Sequence, residues 1–304
     1  MRWQSSVRNF WSRQFQLPLI GRLAFLTVLL LAGQSAAYGK NNAAQLMRST
    51  TSFELYREYM VVVRGSAGPL KGLSFLLDTG ATPSVVDAKV AAKLHLVVTP
   101  TSIAVLNGNV PGGTATLPSL QIGSTYSENL PVLVQDLSFL QKALPIRIDG
   151  IVGLDVFGQS SFVIDYPSRE IRFGPTPSMP GSIPLQLKEG LAIIDATVNR
   201  APVHLLLDTG ASSLILFEDT PELPAKSGSS RPSAKTIGDF ERDRTRSINL
   251  RLGTMEFGHE SAFIVRNHKD AGHDFDGLIS PAALGISRIA VDLDQGRLSF
   301  TRNP

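Results

Sequence analysis

With 304 residues, 43% of them hydrophobic and 18% charged, the chain has the size for two domains or one bilobal domain. That makeup suits a packed globular protein and excludes a disordered one. The formal charge is only +3, and Arg2, Arg8, Arg13 and Arg22 supply part of the basic surplus in a stretch without acidic residues. The body therefore has no concentrated basic face for nucleic acid. Cysteine is absent, which excludes disulfides, a thiolate nucleophile, Cys-ligated zinc, haem attachment through cysteine and a lipid-modified N-terminal cysteine.

Taken in chain order, residues 1–37 read as an export segment. A basic stretch ends at Arg22, the apolar run Leu23–Ala32 follows, and Ser35 and Ala37 hold the small positions of a cleavage site. Leu17-Pro-Leu-Ile20 lies just upstream, so an uncleaved anchor that tolerates Arg22 is a second reading. A non-exported helix is a third. In the first two, the body lies outside the cytoplasm, in a periplasm or tethered to the outer face of the membrane. Residues 38–55 are expected to form a linker or a pro-segment.

Beyond Asn41 the sequence reads as two copies of one unit, offset by roughly 130 residues. Tyr59–Val63 and Leu191–Ile194 open the copies as strands, with hairpin signals at Arg64–Pro69 and Asn199–Pro202. The apolar runs Leu73–Leu77 and Val203–Leu207 each lead into Asp-Thr-Gly-Ala. Leu120-Gln-Ile-Gly123 then matches Leu250-Arg-Leu-Gly253, and Asp149-Gly-Ile-Val152 matches Asp276-Gly-Leu-Ile279. The copies close in hairpins over Val163–Phe173 and Ala290–Phe300. A helix is expected over Ser84–Leu94, whose alanine-rich core suits that state. Gly174–Pro184, with four prolines and two glycines, reads as an extended connector. The expected organisation is an N-terminal lobe over 56–174, a Pro-rich linker over 175–184 and a C-terminal lobe over 185–304. The fold class is all-β with few short helices.

The strongest functional signal is the repeated motif, Asp78-Thr79-Gly80-Ala81 and Asp208-Thr209-Gly210-Ala211. A carboxylate at the end of a buried strand is costly to desolvate, so a fold rarely places one there without use. Two of them on related elements can meet across a pseudo-twofold axis and share one proton, an arrangement that activates water for peptide hydrolysis.

Phe75-Leu-Leu-Asp-Thr-Gly-Ala-Thr82, with the Ile151-Val-Gly-Leu154 segment, resembles the aspartic proteases, in particular their retropepsin-like lobes. The resemblance spans roughly residues 55–304. It implies two such lobes in one chain, with Asp78 and Asp208 as the catalytic pair titrating as a unit. It also implies that Thr79 and Thr209 lock their hydroxyls onto the opposite lobe's backbone. Gly80 and Gly210 would allow the tight turn that turns N–H groups towards the carboxylates. No metal and no cofactor is expected, and the substrate is a polypeptide cut by a monomer. Two other readings are a peptide-binding or assembly protein that keeps the fold without turnover, and a homodimer that pairs like lobes. Pepsin-like enzymes place serine where this chain has Ala81 and Ala211, so a less acidic pH optimum is expected here.

The remaining features read as structural. Val105–Gly113 is the expected substrate-covering flap, with Thr236–Arg244 as a more charged counterpart. Asp149 and Asp276 are expected to cap turns. Ser280-Pro281 stands where the first copy has Gly153, which questions the supporting loop of the second copy. His268, Asp270, His273, Asp274 and Asp276 carry ligand-type side chains without a metal-ligand spacing. Arg242–Arg246 reads as a solvated edge.

Overall fold

Period-two alternation of apolar and polar residues dominates the body, and the computed structural model accordingly consists of strands. It describes residues 49–105, 108–142, 144–177, 181–221, 223, 245–265 and 274–302. The first half runs β1 (Ser49–Tyr56), β2 (Met60–Ala67), β3 (Leu70–Leu77), β4 (Val85–Asp87), α1 (Ala88–Lys93), β5 (Thr99–Val105), β6 (Gly108–Ile122) and β7 (Thr125–Gln135). It continues with β8 (Gly150–Val152), α2 (Leu154–Phe157), β9 (Phe162–Asp165) and β10 (Glu170–Phe173). The second half runs β11 (Ile183–Lys188), β12 (Leu191–Val198), β13 (Ala201–Leu207), β14 (Leu214–Phe217), β15 (Thr245–Leu252) and β16 (Met255–Val265). It ends with β17 (Gly277–Ile279), β18 (Ile286–Asp292) and β19 (Arg297–Arg302). The fold is all-β, with two short α-helices among the described residues.

The same pairing scheme holds in both halves. β3 runs parallel to β8, with Leu77 opposite Val152, and β13 runs parallel to β17, with Leu207 opposite Ile279. β4 lies between parallel β7 and antiparallel β8, as β14 lies between parallel β16 and antiparallel β17. Strands paired on both sides and covered on both faces must be apolar throughout. Leu205–Leu207 and Leu214–Phe217 are, and all are buried.

A separate antiparallel sheet joins the halves, in the order β1-β10-β9-β18-β19-β11. Its centre is the β9–β18 pair, where Ile164 faces Ile289 and Asp165 faces Arg288. Phe157 stacks on Phe173 on one side of it, and Phe257 packs against Phe300 on the other. One apolar cluster runs continuously from Phe53 through Phe162 and Ile164 to Phe300, so the two halves share a core.

Several expected boundaries move. β1 (Ser49–Tyr56) takes in Ser49–Leu55, read as part of a linker or pro-segment, because its β-branched and aromatic residues find open edges on both β10 and β2. Ser84–Leu94 is not one helix. Val85 and Val86 pair with β7 and β8 as a strand, and the helix starts only at Ala88, where Asp87 Oδ1 accepts from the Lys89 amide at 3.1 Å. Alanine content marks the helix but not the strand before it. Ile183 and Pro184, read as connector, already pair with Leu298 and Arg297. The Val105–Gly113 segment is the end of a long β5–β6 hairpin, paired from Thr99–Thr114 to Val105–Gly108. The hairpin's two tip residues, the export segment, the Thr236–Arg244 counterpart and His268, Asp270 and His273 lie outside the described residues. Among the described residues no helix is long and apolar enough to cross a membrane.

Candidate active site

The two Asp-Thr-Gly turns sit at the ends of β3 and β13 and meet between the halves. Each aspartate is fixed first through its backbone. The Asp78 amide donates to Val152 O and the Asp208 amide to Ile279 O, both at 3.0 Å, continuing the parallel β3–β8 and β13–β17 ladders by one residue. Asp149 and Asp276 brace the same strands from their other end. Asp149 Oδ2 accepts from the Ser74 amide at 3.0 Å and Asp276 Oδ2 from the His204 amide at 2.7 Å. Both aspartates therefore serve the strands that lead into the motifs.

Thr79 and Thr209 form a closed ring of four hydrogen bonds across the two halves. The Thr79 hydroxyl donates to Leu207 O at 2.7 Å and accepts from the Thr209 amide at 3.1 Å. The Thr209 hydroxyl donates to Leu77 O at 3.3 Å and accepts from the Thr79 amide at 3.1 Å. Both threonines are buried, so each hydroxyl replaces the water that two backbone groups would otherwise lack.

Asp78 and Asp208 are fully buried. Asp78 Oδ1 accepts from the Gly80 amide at 2.9 Å. Asp208 Oδ1 accepts from the Gly210 amide at 2.8 Å and from the Ala211 amide at 2.9 Å. In the first half the Ala81 amide instead donates to the Asp78 backbone carbonyl at 3.1 Å. Burial first, and then the neighbouring Asp208 carboxyl, hold Asp78 well above the usual carboxylate range.

The glycines do more than permit a turn. A β-carbon on Gly80 would lie 2.9 Å from Asp208 Cγ, and one on Gly210 would lie 2.6 Å from Asp78 Cγ. Each glycine thus makes room for the carboxyl of the opposite half, and neither has a positive φ. Ala81 and Ala211 are buried directly behind.

Three supporting contacts were not legible as such in the sequence. Ser84 donates its amide (2.8 Å) and its hydroxyl (2.6 Å) to the buried Asp155 carboxylate, and its hydroxyl accepts from the Gly153 amide at 3.0 Å. Burial pushes the Asp155 carboxyl up, against the pull of these bonds. By strand register the corresponding positions of the second half are Leu214 and Ala282, an apolar pair. Comparing residues at fixed distance from the two motifs could have found this difference. Ser280, in Gly153's place, donates to Ala211 O at 2.6 Å, whereas a β-carbon on Gly153 would lie 1.9 Å from Ala81 O. The second turn is therefore supported by a hydroxyl where the first is supported by close backbone packing. Tyr59, just before β2, is buried, with its hydroxyl near Ser212, the residue that follows the second motif.

Residues 61–156 match a family model described as Aspartyl protease. The matched stretch runs from β2 into α2 and contains the Asp78 motif, Ser84 and Asp155; it ends before the Asp208 motif. No curated protein matches the chain. Sequence match and all-β architecture agree, and over residues 61–156 the chain is similar to the retropepsin-like aspartic proteases.

Proposed function

We propose that the protein is an aspartic endopeptidase whose single chain supplies both half-sites, Asp78 and Asp208. The observation that carries this reading is the pair of buried carboxyls held by interlocked Thr79 and Thr209. Two carboxyls this close cannot both ionise readily, so the pair holds one proton. The ionised member takes a proton from water as it attacks the scissile carbonyl carbon. The protonated member donates to the carbonyl oxygen, which becomes the second hydroxyl of a tetrahedral diol. Collapse returns a proton to the leaving nitrogen and restores the shared proton. The two halves arose, on this reading, by internal duplication, and the β5–β6 hairpin is the element that closes over substrate.

The substrate is a polypeptide, the working unit is the monomer, and the N-terminal segment exports or tethers the body beyond the cytoplasm. Peptide-library cleavage by the full-length chain, followed by mass spectrometry across mildly acidic to neutral pH, tests the reading. Internal cuts with consistent flanking residues are expected. Tight binding of a hydroxyl-isostere peptide without any cleavage would instead mark a peptide-binding protein that keeps the fold.

A further inference from the structure

A pocket of about 490 Å³ opens at the joint between the halves, and no residue of either Asp-Thr-Gly motif lines it. The first half contributes Leu55 from β1, Glu58 from the turn that follows, and Tyr166 just after β9. The second half contributes Ala282, Gly285 and Ile286, from the 3-10 turn after β17 to the start of β18. Its size is that of pockets that take small organic ligands.

Two polar groups in these walls lack a partner among the described residues. Glu58 is exposed and has a φ of +67°, in a tight turn that the Tyr59 amide closes onto Tyr56 O at 3.2 Å. Its carboxylate makes no ion pair or hydrogen bond there, and no cationic residue lines the pocket. Tyr166 is held from both halves. Its ring meets Phe53 edge-on, with centroids 6.2 Å apart, and its amide donates to Ser287 O at 3.0 Å. Its hydroxyl has no hydrogen-bond partner among the described residues. Burial alone holds this phenol well above its ordinary value, so it stays protonated and can both donate and accept. Leu55, Ala282 and Ile286 make the rest of the surface apolar. At Gly285, where φ is +62°, a β-carbon would meet nothing within 4 Å, so the pocket is open on that side.

These groups are not repeated at the related positions. Gln159 and Ile286 each follow the glycine that ends a short helical turn, and Leu293 follows β18 as Tyr166 follows β9. Gln159 and Asp155, the counterparts of Ile286 and Ala282, are already bonded to Ser127 and Ser84, and Leu293 carries no hydroxyl.

We propose that this pocket binds an organic ammonium, a primary amine carried on an apolar body. The ammonium pairs with Glu58 and donates to the Tyr166 hydroxyl, and the apolar body lies against Leu55, Ala282 and Ile286. A neutral ligand of the same shape gains only the apolar burial, and an anion is repelled by the carboxylate. A free amine and the N-terminal ammonium of a peptide share this chemistry. The site goes beyond the endopeptidase reading and does not rest on it.

The test is methyl NMR of the full-length chain labelled at leucine and isoleucine, with Leu55→Val and Ile286→Val spectra assigning the pocket signals. Phenethylammonium, phenethyl alcohol and hydrocinnamate share one apolar body and differ in charge. Phenethylammonium is expected to move both signals saturably, with a Kd of about 1 mM for so small a ligand. The alcohol should bind about fivefold more weakly, and the carboxylate more weakly still. Glu58→Gln should cost the amine about fivefold and the alcohol nothing, and Tyr166→Phe should cost the amine about fivefold. Phenylalanylglycinamide distinguishes the sources. Binding at the same methyls as tight as the free amine's, or tighter, assigns the pocket to peptide N-termini, and weaker binding assigns it to free amines. Equal affinity for the three probes, unchanged amine binding in Glu58→Gln, or no saturable shift at Leu55 and Ile286 would overturn the proposal. Glu58 is exposed, so its variant decides even if Tyr166→Phe does not fold. The titration needs no turnover, and a chain that cleaves no peptide defeats the endopeptidase reading alone.

Discussion

Gly210 faces the Asp78 carboxyl so closely that a β-carbon there would lie 2.6 Å from its carbon atom. Gly210→Ala must therefore push Asp78 away from Asp208 or open the turn. A misplacement of the order of 1 Å is expected to cost about 10²-fold in kcat/KM, with about 1–3 kcal/mol of stability lost to overpacking. Gly80→Ala should follow with a smaller effect, since its nearest approach to Asp208 is 2.9 Å. Wild-type kinetics in either variant would show that the carboxyls are not held by this contact.

The threonine ring makes a graded prediction. Thr79→Ser keeps the hydroxyl and should cost little. Thr79→Val removes the bond to Leu207 O and leaves the Thr209 amide buried without its acceptor. About 2–4 kcal/mol of stability should go, and activity with it. Urea unfolding of the two variants side by side reads the difference; equal stability would mean that the ring contributes little to joining the halves.

Stability should respond to pH through Asp78. Burial and the Asp208 carboxyl raise Asp78 above its ordinary value, so the folded state favours its protonated form. The stability this gives is complete below the unfolded value and is lost as pH rises through the folded one. Asp78→Asn is neutral throughout and should melt above the parent at about pH 7, with the gap closing towards about pH 3. A gap that widens as pH falls would reverse the assigned direction. Ala81→Ser, which places a hydroxyl beside the pair, should move the acid limb of activity downwards.

Ser84 and Asp155 form a buried polar unit where the second half has Leu214 and Ala282. Asp155→Ala strands the Ser84 amide and hydroxyl, at a cost of about 2–4 kcal/mol. The double variant Ser84→Leu with Asp155→Ala copies the second half's solution and should be the more stable of the two. Denaturant midpoints decide this, and a double variant worse than Asp155→Ala alone would show that the first half cannot accept the apolar pairing.

Much of this site is legible in the sequence. Asp78 and Asp208 stand out because a charged residue at the end of an apolar run is chemically conspicuous, and repetition in matched surroundings makes it more so. The closing hairpins over Val163–Phe173 and Ala290–Phe300 were equally clear, since both alternate apolar and polar residues around a turn. The sheet they build together was not, because pairing Ile164 with Ile289 is a long-range choice that local pattern does not encode. β1 was missed for the same reason: Ser49–Tyr56 becomes a strand only by finding β10 and β2. In the sequence Gly80 and Gly210 read as turn residues, whereas their tightest constraint in the fold is the carboxyl from the other half. Tyr59 gave no signal, because one aromatic beside a strand is ordinary until the fold brings its hydroxyl near Ser212.

In the proposed mechanism Asp78 and Asp208 act as one catalytic unit. Its most direct test compares kcat/KM for the full-length chain, Asp78→Asn, Asp208→Asn and the double variant on a peptide chosen from the library. Each single variant is expected to lose about as much as the double, several orders of magnitude, because removing either member destroys the shared proton. Full activity in either single variant would contradict it.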